Sequence, residues 1–269
     1  MRRTLLAFLC FIAISGLALA QQPRSNDKGA DFFNRGMNAL QGSGLSHNNQ
    51  TAIQLLQTSA QFGYFPAYTV LGYFYDTGTI VTSDPGQAAD WYRKASDEGD
   101  PLGQWLLGRL YFTGTGVPRD LTNAERFLQQ AAGQDDPIAE YLLGSIKLER
   151  QDYKTAADLF RKSAEQGLPQ AQQQLGQMLE RGQGIREDKL EAYVWLLVSF
   201  DAGNQSAATD LSALEGDLGS TNLEQAKSKA RDLESSVRRT SVAHGCTGWP
   251  GEFNVVPTPP PPDLQRFCR

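Results

Sequence analysis

The sequence has very little of what metal, thiol or imidazole chemistry requires. It holds two histidines, His47 and His244, and three cysteines, Cys10, Cys246 and Cys268. A zinc hydrolase needs His-Glu-x-x-His or several imidazoles in ligand spacing, and two distant histidines cannot provide that. His47 falls in a polar turn, and His244 stands two residues before Cys246 with no further ligands beside it. No metal site and no cofactor is expected. Serine chemistry is missing as well. No Gly-x-Ser-x-Gly elbow occurs, and the one Ser-x-x-Lys, from Ser25 to Lys28, lacks the Ser-Asp-Asn and Lys-Thr-Gly companions of a penicillin-binding site. Nothing assembles a nucleophile with its base, so the chain does not read as an enzyme.

Basic residues are also in the minority: 25 Lys and Arg stand against 30 Asp and Glu, a net charge of −5. That balance disfavours a nucleic-acid partner. Long apolar runs are absent but for one. Leu5 to Ile14 is too short to cross a bilayer, follows Arg2 and Arg3, and ends at Ala18-Leu19-Ala20. These are the three parts of a signal peptide over residues 1–20, cleaved after Ala20, and the mature chain is expected to be periplasmic or secreted with no membrane span. A polar arm over 21–27 follows. Two sequons, Asn49-Gln50-Thr51 and Asn204-Gln205-Ser206, leave bacterial and eukaryotic export both open.

What the sequence does have is glycine, 26 residues of it, placed periodically. Gly36, Gly72, Gly108 and Gly144 are 36 residues apart, and Gly176 follows after 32. Ala52, Ala88, Ala124, Ala156 and Ala192 follow in steps of 36, 36, 32 and 36. Two helical patterns alternate within each unit. Ala67, Leu71, Gly72 and Tyr75 share one helix face, and so do Ala88, Trp91, Tyr92 and Ala95. Each unit is therefore a helical hairpin with a seam of small and aromatic residues. A mid-helix glycine costs about 1 kcal/mol relative to alanine. Close approach of the neighbouring helix, with a ring of the Trp91 or Tyr92 kind filling the space, is the compensation expected.

Between the two helices lies a turn such as Thr113 to Asp120, TGTGVPRD. Its Gly-x-Gly resembles a phosphate loop, but no lysine follows and Pro118 removes a donor. Read as a hinge, it ends one helix on Gly114 and caps the next with Asp120. Asp84, Asp152 and Asp188 hold the same capping place. The unit at Gly144 lacks the long turn, which accounts for the 32-residue step.

Ala-x-x-x-Leu-Gly-x-x-Tyr, then Gly-x-Gly-Val-x-x-Asp, then Ala-x-x-Trp-Tyr-x-x-Ala resembles the Sel1-like repeats, relatives of the tetratricopeptide repeats. The resemblance covers about residues 28 to 215, with Arg35 and Lys147 departing from the pattern. It implies an all-α fold, an α/α solenoid of about five helical hairpins, here over 28–238 with a capping helix near 222–236. It also implies a non-catalytic scaffold gripping a protein or peptide on a concave groove. By the tetratricopeptide register that groove carries Phe33, Thr69, Tyr73, Trp105, Arg109, Tyr141, Gln173 and Gln177; packing of Trp105 and Tyr141 against adjacent helices remains the alternative. A rival function, binding or weak hydrolysis of peptidoglycan or β-lactams, belongs to a secreted cysteine-rich branch of the family. This chain lacks the paired cysteines in each repeat that mark that branch.

From 239 to 269 the repeat is gone. Cys246 and Cys268 are the only cysteines left after cleavage, and an oxidising compartment predicts a disulfide between them. Within that loop, Pro257 to Pro262 reads as extended polyproline. It serves as a stapled loop or as a ligand for a partner.

Overall fold

The computed structural model describes residues 25–41 and 48–244. The leader, His47, and the tail with Cys246, Cys268 and Pro257 to Pro262 lie outside the described residues.

The described residues form eleven α-helices and no strand. They pair as α1 (Ser25–Gln41) with α2 (Asn49–Gln61), α3 (Phe65–Thr77) with α4 (Pro85–Asp97), and α5 (Pro101–Thr113) with α6 (Leu121–Ala132). The pairs continue as α7 (Pro137–Glu149) with α8 (Tyr153–Glu165), and α9 (Pro169–Arg181) with α10 (Lys189–Asp201). Each even helix packs on the next odd one, and α10 packs on α11 (Ala207–His244). Five hairpins thus stack into one continuous core, as expected of units that cannot bury their own apolar faces.

The helices start where the caps allow. Asn48, Asp84, Asp120, Asp152 and Asp188 each accept a hydrogen bond of 2.8–3.3 Å from a first-turn N–H of the following even helix. A second capping series precedes the odd helices. Asp100 accepts from Leu102 and Gly103, and Asp136 from Ala139, each ahead of a proline at the first helical position.

The periodic glycines are there for contact. A Cβ on Gly72 would lie 2.5 Å from the Tyr92 ring, on Gly108 2.7 Å from Leu128, on Gly144 2.8 Å from Phe160, and on Gly176 2.7 Å from Leu196. The side chain that fills the space is therefore Tyr92 or its equivalent, a ring at Tyr92 and Phe160 and a leucine at Leu128 and Leu196. Trp91 instead stacks on Tyr68, at 6.1 Å between centroids, with the Lys94 ammonium 4.0 Å from its ring. In the turns, Gly78, Gly114 and Gly182 end their helices in the left-handed conformation. The second turn glycine does something else. A Cβ on Gly116 would lie 2.2 Å from the backbone of Pro85, and one on Gly184 2.2 Å from that of Tyr153. Each turn thus presses on the start of the even helix one hairpin earlier.

Helix α11 breaks at Gly219 (φ 70°, ψ 162°). Its first half adds a sixth odd-type helix with Leu211, Leu214 and Leu218 inward. Its second half buries a narrow stripe, Ala226, Ala230 and Val237 with Leu223 and Leu233 beside them, spaced three and four residues apart. This is the capping helix expected near 222–236, and it runs on to His244.

Candidate functional site

The eight residues assigned to the groove occupy two registers of the odd helices, three residues before and one after the seam glycine. In this fold those registers are also the mortar between consecutive odd helices. Thr69 on α3 is buried and its hydroxyl donates to Asp100, the cap of α5. Arg109 on α5 is buried in an ion pair with Asp76 near the end of α3, and Asp76 also accepts from the Tyr92 hydroxyl at 3.2 Å. Burial, together with the Asp76 charge, raises the Tyr92 phenol well above its ordinary range. Gln173 and Gln177 on α9 both donate to the Asp210 carboxylate of α11, at 3.0 and 2.8 Å.

The aromatic members pack in the same way. Phe33 is buried with its ring 5.3 Å from Tyr64, Tyr73 lies 5.7 Å from Phe74, and Trp105 is buried in the core. Tyr141 is half-buried against Phe160 at 5.7 Å. Of the eight, Tyr141, Gln173 and Gln177 retain partial exposure, while Phe33, Thr69, Tyr73, Trp105 and Arg109 are interior. The packing alternative weighed for Trp105 is the arrangement found.

A group that sequence reasoning did not single out lies where α7 and α8 meet the C-terminal helix. Glu140 is 1% exposed. It pairs with Lys162 at 2.6 Å and accepts from Gln166 at 2.7 Å. Lys162 also reaches Asp135 at 3.0 Å. Burial pushes Glu140 up, opposed by the hydrogen bond from Lys162. One turn earlier, burial pushes the capping carboxyl of Asp136 up to about 6. Asp135, Lys162, Glu165 and Gln166 line one wall of a 500 Å³ cleft whose other wall is Leu233, Ser236 and Val237 of α11. The Asp-Pro pairs at 100–101 and 136–137 signalled the caps in the sequence, but nothing local signalled their burial.

Chemically the described surface is spare. Among the described residues no group of His, Cys, Asp and Glu could hold a metal, and no helix is long and apolar enough to cross a membrane. The capping carboxylates Asp84, Asp120, Asp152 and Asp188 are engaged with backbone N–H groups of their helices. The sequon at Asn204 is engaged as well. Its amide nitrogen donates to Gln173 and Ser199, both at 2.9 Å, and its oxygen accepts from Ser206.

Comparison with known proteins agrees with this architecture. The Sel1 repeat model matches residues 33–63, 66–100, 101–136, 137–168 and 169–204, one hairpin each. No curated protein matches the chain. Among solved structures, c5321, a protective antigen of uropathogenic Escherichia coli strains displaying an SLR fold, is 27% identical with a TM-score of 0.68. That alignment covers 88% of this chain and 49% of c5321, so the chain spans about half that antigen's length. A Sel1 repeat protein from Oxalobacter formigenes is 26% identical with a TM-score of 0.62, over 80% of this chain and 91% of the other. With five consecutive matched hairpins, each carrying its seam glycine against the facing helix, the chain belongs to the Sel1 repeat family.

Proposed function

We propose that the protein is an exported, non-catalytic scaffold that binds a protein partner along the face of its odd-numbered helices. Sel1 repeat proteins are generally protein-interaction scaffolds. The observation that carries the reading is the repetition of one register on the five odd-numbered helices α1 to α9, which yields an extended surface. Phe33, Thr69, Tyr73, Trp105 and Arg109 form the fixed floor of that surface. Tyr141, Gln173 and Gln177 are its accessible part, offering an amphipathic ring and amide groups held by neighbours. Export rests on the leader over residues 1–20.

Affinity capture from the cell envelope tests this. Ser145 on α7 sits one residue past its seam glycine and is partly exposed, so Ser145→Arg places a bulky charge on the face without disturbing the core. The expected outcome is a partner retained by the unmodified chain and lost from the variant, with helical content unchanged. Retention by both would overturn the assignment of the face, and turnover of a β-lactam or muropeptide by the purified chain would overturn its non-catalytic character.

A further inference from the structure

The cleft between α8 and the end of α11 has a polar wall, Asp135, Lys162, Glu165 and Gln166, and a more apolar one, Leu233, Ser236 and Val237. The polar wall is short of donors. Lys162 is its one cation, and it is already divided between Asp135 at 3.0 Å and the buried Glu140 at 2.6 Å. The Gln166 amide nitrogen donates to Glu140 at 2.7 Å, which fixes the orientation of the amide and leaves its Oε1 buried with no hydrogen-bond partner among the described residues. A buried acceptor in that position calls for a donor. Glu165 beside it makes no ion pair among the described residues. Asp135 adds a carboxylate where the other linkers have none. It stands in the left-handed conformation, φ 60°, at the position that Gly63, Gly99, Gly167 and Gly203 hold elsewhere. The segment that fits such a cleft carries a many-donor cation on one side and an apolar side chain on the other.

The chain itself supplies such a segment. Helix α11 ends at His244, two turns past Val237, and residues 245–269 continue from there. Their basic residues are Arg266 and Arg269, both within Leu264 to Arg269, LQRFCR, a stretch with no Asp or Glu. In an extended segment neighbouring side chains point to opposite sides, so Arg266 and Phe267 address opposite walls. A guanidinium offers five donors and no acceptor, which matches Glu165 and the unpaired Gln166 oxygen. Phe267 matches Leu233 and Val237. Arg238 and Arg239, which directly follow Val237 on α11, are the competing cations for Glu165, and the experiment below separates them.

We propose that Leu264 to Arg269 dock, within the same chain, in the cleft between α8 and α11, with Arg266 on Glu165 and Gln166 and Phe267 on Leu233 and Val237. The reach suffices. From His244, Val237 lies about 10 Å back along the helix. Two residues to Cys246, a disulfide to Cys268 and one residue to Phe267 span up to about 16 Å, and Gly245 permits the reversal of direction. Without the disulfide, the open chain from 245 to 267 reaches further still. A tether of this kind holds the segment at an effective concentration on the order of millimolar, so a few contacts are enough to seat it. The docking is independent of any partner on the odd-helix face.

A benzophenone side chain in place of Ser236, an exposed residue of the cleft, tests this directly in the purified full-length chain. Irradiation is expected to join position 236 to residues 264–269 at monomer mass. Arg266→Glu is expected to lower that yield several-fold, and Glu165→Arg added to it to restore the yield. Arg239→Glu alone is expected to leave the yield near that of the unmodified chain. An adduct at dimer mass, an adduct confined to other parts of the chain, or no adduct would each overturn the proposal. So would a loss with Arg239→Glu as large as with Arg266→Glu, or no recovery in the charge-reversed pair.

Discussion

A carboxylate at the head of a helix behaves according to how much water reaches it. Asp84 and Asp120 cap exposed turns, and the backbone hydrogen bonds they accept hold their carboxyls below the ordinary range. Asp136 caps a buried turn and stands at about 6. Because its folded value lies above its unfolded one, its protonation stabilises the fold: the contribution is fully present below about pH 4 and is lost as pH rises through 6. Asp136→Asn keeps a capping oxygen and removes the charge. The variant is expected to lose about 1–1.5 kcal/mol of the stability difference between pH 5 and pH 7.5 seen in the unmodified chain, measured by urea unfolding at both pH values. Exposed caps cancel in this comparison. Arg109 makes a second case. Arg109→Ala leaves Asp76 buried without its cation and is expected to cost about 3–5 kcal/mol, a large loss for a residue that would be cheap to remove were it a surface contact. The Asp-Pro caps were legible as adjacent letters. The pairing of Arg109 with Asp76, on different hairpins, was not, because it depends on how consecutive odd helices align.

At the scale of the element, most of the hairpin could be read from spacing alone. The seam glycines and alanines gave the period, the helices and the shortened unit, since each side-chain class recurs at one place on one face. The role of the second turn glycine could not be read that way, because what it touches belongs to the preceding hairpin. Gly116→Ala must place a Cβ against the Pro85 backbone at positive φ, and it is expected to destabilise by about 2–4 kcal/mol. Gly216→Ala, in α11 with open space around it, is expected to stabilise by about 0.5–1 kcal/mol; the pair, compared by thermal unfolding, separates contact from propensity. In the turn after α3, Ile80 stands where Gly116 and Gly184 stand in theirs, and α2 meets α3 over a smaller surface than the equivalent joints. Amide hydrogen exchange is therefore expected to show α1 and α2 opening before α3 to α10.

The molecule as a whole is a stack with two unlike ends. At the C-terminal end α11 supplies a sixth odd-type helix, turns at Gly219, and covers α10 with a helix whose outer face is polar. At the N-terminal end α1 carries the exposed Asp31–Arg35 pair, and aromatic side chains gather at the α2–α3 linker. The sequence announced a cap near 222–236, because the repeat decays there into a charged helix, but not its return to α8, which is set by the angle at Gly219. The proposed function rests on the same geometry. A solenoid whose described polar side chains are largely engaged in caps and seams offers the long surface on which the proposed partner binds. The most direct test of that account is photo-crosslinking in intact cells from matched positions on the two faces, Tyr141 and Gln177 on the odd helices against Asp158 and Gln129 on the even ones. The account predicts one and the same protein captured from 141 and 177 and not from 129 or 158. Capture from the even-helix positions alone, or equal capture from all four, would contradict it.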